Sequence, residues 1–122
     1  MSSHRISPEE FEAYVAEALE SVPAPFRKYL ENVVVGVEEE PFEEDYEETE
    51  TPDEYELFGI FRGVPYFERG ATVSSLPAQI AIFRGPILRS FTTRGEAVRA
   101  IRDTVVHEVG HMLGLDDEEM PY

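Results

Sequence analysis

Apolar positions recur at helical spacing in two stretches of the chain, and three shorter apolar runs lie between them. Near the N-terminus, Phe11, Tyr14, Val15, Ala18 and Leu19 repeat at intervals that cover one face of an α-helix. Ser7 can cap this helix, Pro8 suits its first position, and Glu9 and Glu10 place negative charge in its first turn. Val22-Pro23 stops the run, and Pro25 to Leu30 adds one or two turns. Asn32 to Val37 is a β-branched run and predicts a buried strand. Leu57 to Phe61 predicts a second strand, followed by a turn at Gly63-Val64-Pro65. Tyr66 to Leu76 is irregular, and Arg69 within it is a surface residue or a substrate contact. Gln79 to Phe83 predicts a third strand, closed by Gly85-Pro86. Ile87 to Phe91 is apolar and reads as either a short strand or a helical turn.

The second helical stripe is Val98, Ile101, Val105, Val109 and Met112. Thr93 and Glu96 have the spacing of a capping box, so the helix starts near Arg94 and runs to about Leu113. Gly114 can end it, because glycine tolerates the left-handed conformation found at helix C-termini. The order is helix, strand, strand, strand, helix, with no internal repeat. It predicts an α+β fold, a sheet of three or four strands covered by two main helices. At 122 residues the chain forms one domain, 1–122, with one core.

Charge narrows the function. The chain has 26 acidic and 10 basic residues, a formal net charge of −16. Such a surface repels phosphate backbones and anionic membranes, so neither nucleic acid nor membrane is an expected partner. No apolar run is long enough to span a bilayer. Met1 to Arg5 leads into a charged helix without a signal-peptide core, and cytoplasmic residence is the simplest reading. Cysteine is absent, so any metal must be held by His, Asp or Glu. From Glu38 to Glu56, 12 of 19 residues are acidic, with Pro41 and Pro52 among them. This composition predicts a mobile, solvated loop that Phe42, Tyr46 and Tyr55 could anchor. The functional alternative is a lid, or an arm that selects basic peptides. Nothing in the pattern sets an oligomeric state.

The chemistry concentrates at His107-Glu108-Val109-Gly110-His111-Met112-Leu113-Gly114-Leu115-Asp116-Asp117. In a helix, His107 and His111 are four residues apart and share one face, where two imidazoles can reach one cation. That face lies nearly opposite the apolar stripe, so these are not evident core histidines. Glu108 lies between the two faces and can take a proton from an activated water. If the chain turns back after Gly114, Asp117 becomes a third ligand. Two imidazoles and a carboxylate with an open fourth position make a catalytic Zn²⁺ site. The same donors would also accept Co²⁺, Mn²⁺ or Ni²⁺.

This stretch is similar to the metzincin consensus H-E-x-x-H-x-x-G-x-x-H, with Asp in place of the last His, as in snapalysin-type endopeptidases. With Leu57 to Phe61 and Ile80 to Leu88, the chain resembles short bacterial zincin-like metallopeptidases from about Ser7 onward. The resemblance implies a minimal zincin fold, Zn²⁺ held by His107, His111 and Asp117, and Glu108 as catalytic base. It implies no particular peptide or protein substrate. By the family's spacing Asp116 is one residue out of register, and Glu118 and Glu119 are near enough to exchange with Asp117. Tyr122, beside Met120, is a candidate oxyanion donor. In the family plan an edge strand near the cleft pairs with extended substrate. Gln79 to Phe83 is the candidate here, because it is nearest the motif helix in sequence. The rival readings are a catalytically silent metal- or peptide-binding domain and a core helix without metal.

Overall fold

The computed structural model describes residues 6–49, 56–62 and 78–112. Helix α1 spans Pro8–Glu20, α2 spans Ala24–Arg27, and a 3-10 turn over Lys28–Asn32 leads into strand β1, Val33–Glu38. Helix α3, Glu43–Glu48, precedes strands β2, Gly59–Arg62, and β3, Ala78–Phe83. Helices α4, Arg84–Ser90, and α5, Arg94–Met112, follow. The class is α+β. The sheet order is β1-β3-β2, with β1 parallel and β2 antiparallel to β3.

Local chemistry accounts for the two long helices. The Ser7 hydroxyl accepts from the Glu10 N–H at 3.1 Å, and Pro8 starts α1 where no intrahelical donor is needed. At α5, the Glu96 N–H donates to the Thr93 hydroxyl (3.2 Å) while the Thr93 N–H donates to the Glu96 carboxylate (3.3 Å). This is the reciprocal capping box that the spacing predicts. Phe11, Tyr14, Val15 and Ala18 of α1 are buried with Ala97, Ile101, Val105, Val106 and Val109 of α5. They cover the sheet face that carries Ile80 and Ile82, where Val33, Val35 and Val37 of β1 are half-buried. Ile60, Ala81 and Phe83 form a second buried cluster.

The structure bears on three expectations. Strand β3 is the centre of the sheet, hydrogen-bonded on both sides, so it offers no free edge to a substrate. Of the two readings for Ile87 to Phe91 the helical one holds, over Ile87 to Ser90, and β3 ends at Phe83 as expected, with Gly85-Pro86 in the first turn of α4. The acidic stretch, in its described part, keeps Glu39, Glu40, Glu43, Glu44 and Glu47 exposed, as a solvated segment would, but it is tied down at several points and is helical over Glu43–Glu48. Its Asp45 is only 2% exposed and sits against the Arg62 guanidinium, with Nη1–Oδ1 at 2.9 Å and Nη2–Oδ2 at 3.1 Å. The Phe42 N–H donates to the same carboxylate, and Glu38 takes a second bond from Arg62 Nη2. Arg84 pairs with Glu39, and Arg89 pairs with both Glu40 and Glu56. Burial lowers the proton affinity of Arg62, but Asp45 and Glu38 more than offset it, so the guanidinium stays charged. The composition hid this because the partners are arginines on β2 and α4, remote in sequence. Tyr55 lies outside the described residues, as do the turn at 63–65 and the segment 66–76.

Candidate metal centre

The site lies where the C-terminal half of α5 crosses β2. Close approach is possible because Gly59 has no side chain. A Cβ there would stand 2.6 Å from Thr104 Cγ2 and 2.9 Å from the Ala81 carbonyl oxygen. Thr104 bends its hydroxyl back to the Ala100 carbonyl, at 2.7 Å. One turn later come His107 and Glu108, then His111.

The helix places these three side chains together. The imidazole rings of His107 and His111 lie 4.4 Å apart, edge to face. Ligand atoms of His107, Glu108 and His111 all fall within 4.8 Å of one another. Glu108 is the more enclosed, its side chain 12% exposed against 44% for His111. Glu108 Oε2 is 3.4 Å from His111 Nδ1. Its other oxygen, Oε1, accepts a 2.7 Å hydrogen bond from the backbone N–H of Phe61. Two imidazoles and a carboxylate this close suit a borderline divalent cation. Asp117, the expected third ligand, lies outside the described residues, as do Gly114, Asp116, Glu118, Glu119, Met120 and Tyr122.

A cleft of about 330 Å³ opens beside His107 and Glu108. Glu56, Leu57, Phe58 and Gly59 border it from the β2 side, and Asp103, Thr104, His107 and Glu108 border it from α5. The sequence identified His107, Glu108 and His111 but missed two features that set the geometry. The first is Gly59, for which a signal existed: glycine inside a strand pattern marks a close backbone approach. The second is the bond from the Phe61 N–H to Glu108, which joins residues 47 apart and has no local signature.

A mixed sheet with an H-E-x-x-H helix packed along it defines the zincin class. The sequence model of the zincin-like metallopeptidase family matches residues 30–122, and the chain belongs to that family. The family implies a bound metal ion, which the His107, Glu108 and His111 donors fit. Among solved structures, the chain is similar to a conserved hypothetical protein from Thermo thermophilus. The identity is 22%, the TM-score is 0.57, and the match covers 88% of this chain and 94% of the other. That likeness concerns the fold. No curated protein matches the sequence. Among the described residues, no helix is long and apolar enough to cross a membrane.

Proposed function

We propose that the chain is a zinc-dependent peptidase that cleaves peptides or protein segments in the cytoplasm, with no role for nucleic acid or membrane. The observation that carries this reading is the meeting of His107, Glu108 and His111 within 4.8 Å, beside an open cleft, in a member of the zincin-like family. His107 and His111 hold the metal, and Asp117 completes the ligand set. A zinc ion, when bound, supplies an acidified water and a Lewis acid for the scissile carbonyl.

The chain's own residues do the rest. Glu108 accepts the proton from the attacking water, on the oxygen that faces the histidines, and returns it to the leaving amine. Leu57, Phe58 and Gly59 give the cleft an apolar wall for a substrate side chain. The substrate backbone pairs with the outer edge of β2, which among the described residues has no strand beside it. Strand addition of this kind holds an extended peptide through main-chain bonds and leaves selectivity to the cleft. The net charge of −16 favours encounter with basic peptides over acidic ones.

The test is Glu108→Gln in zinc-loaded protein, with a mixed peptide library as substrate. A peptidase loses turnover by at least about 100-fold, the usual scale for a general base, and keeps its metal. Wild-type protein that holds zinc and cleaves no peptide would instead make the chain a silent binding domain.

A further inference from the structure

The hydrogen bond between Phe61 and Glu108 separates two roles that the side-chain cluster alone leaves mixed. His107, Glu108 and His111 are close enough for all three to ligate one ion. The backbone geometry argues against that for Glu108. Strand β2 is antiparallel to β3 in the register Ile60↔Ala81 and Phe61↔Ile80. The Phe83 N–H donates to the Phe58 carbonyl at 2.8 Å, one step beyond the strand. Antiparallel pairs alternate between bonded and unbonded, so residues 58, 60 and 62 face β3. Gly59 and Phe61 therefore direct their N–H and C=O groups outward, away from the sheet. The Phe61 N–H meets Glu108 Oε1 there, at 2.7 Å. That length is typical of a charge-assisted bond to a carboxylate. The acceptor is largely enclosed, its side chain 12% exposed. The other oxygen, Oε2, is left on the histidine side.

Resting on the peptidase reading above, we infer that the Phe61 backbone N–H is the positioning group for Glu108. It ties Oε1 to the sheet edge and so keeps this carboxylate beside the metal's ligand set rather than in it. Gly59 is part of the same device, because the close approach it allows brings α5 within reach of the β2 edge. The anchor also uses the outward amide of Phe61. Among the described residues of β2, the other amide directed outward is that of Gly59, along the wall of the cleft, and a substrate strand would meet it there. The carboxylate thus marks one end of the peptide-docking edge.

Amide hydrogen exchange tests the anchor without reference to activity. In wild-type protein the Phe61 amide is protected although no strand among the described residues covers it. In Glu108→Ala that protection falls at least tenfold, while the amides of Ala81 and Phe83 keep theirs. Zinc loading of the wild type leaves the Phe61 amide protected. Loss of its protection on zinc loading means that Glu108 has moved to the metal, and overturns the inference. So does protection that is unchanged in Glu108→Ala.

A second arm reads turnover. Phe61→Pro removes the N–H at an edge position whose donor points out of the ladder, a place where proline is tolerated. Phe61→Ala loses the same ring and keeps the N–H. The expected result is a kcat at least tenfold lower for Phe61→Pro than for Phe61→Ala, with equal KM and equal zinc content. Equal kcat values in the two variants would overturn the positioning role. A zinc-loaded wild type without turnover refutes the peptidase reading instead, and the exchange results still decide whether Phe61 holds Glu108.

Discussion

Replacing Gly59 by alanine should disturb fold and site together. The added Cβ meets Thr104 Cγ2 at 2.6 Å and the Ala81 carbonyl oxygen at 2.9 Å, where ordinary contact begins at 3.4 Å. Relief of the first contact needs a displacement of 3.4 − 2.6 = 0.8 Å between β2 and α5. Overpacking of this kind costs about 1–3 kcal/mol. For a domain of this size that lowers Tm by roughly 3–12 °C. The same displacement takes the 2.7 Å bond from Phe61 to Glu108 to the outer limit of hydrogen bonding. Misplacement by about 1 Å is worth up to about 100-fold in rate at a catalytic centre. Thermal melting, with a peptide assay on zinc-loaded protein, measures both effects. Thr104→Ser provides the control, since it removes Cγ2 and keeps the hydroxyl that bonds Ala100. In the double variant the conflict with Ala81 remains, so roughly half of the lost stability should return as the coupling energy of the pair. A Gly59→Ala protein within about 0.5 kcal/mol of wild type, a change expected of neutral surface substitutions, would refute this packing argument.

Asp45→Ala should cost about 2–3 kcal/mol in urea denaturation. This is below the range for a fully buried pair, because Arg62 is 30% exposed and keeps Glu38. A loss under about 1 kcal/mol would return the acidic stretch to the solvated reading. The hydrogen bond from Arg89 lowers the pKa of Glu40 below its ordinary 4.5 in the folded protein. The pair's contribution is therefore complete above the unfolded value and is lost as pH falls through the lowered folded value. Glu40→Gln should flatten the fall in Tm on acidification below pH 4.5, and parallel acid limbs in the two proteins would contradict it.

How far the sequence reached depended on the range of the interactions. Both long helices were legible because their caps and apolar stripes are local: Ser7, Thr93 and Glu96 do what their spacing implies. Val106 is fully buried although it lies off the predicted stripe, because α5 is covered on a broader face than one row of residues. The three strands were found to within two residues, but their order was not. Sequence proximity to the motif helix pointed to β3 as the edge, whereas the chain inserts β3 between β1 and β2 and leaves β2 beside the histidines. The anchor of the acidic stretch was missed for a related reason, although most of its described carboxylates are exposed as expected. Asp45 differs from its neighbours only by facing Arg62, 17 residues away. In the site, His107 and His111 followed from helical spacing, while the backbone donor that holds Glu108 belongs to another element and required the fold.

The most direct test of the central claim is the metal content of purified protein after incubation with zinc and gel filtration, measured beside His107→Ala/His111→Ala. The account predicts about one zinc per chain in the wild type, the stoichiometry of a single catalytic site, and its loss in the double variant. A wild type that takes up no zinc, or a double variant that retains it, would contradict the assignment of the metal centre to these histidines.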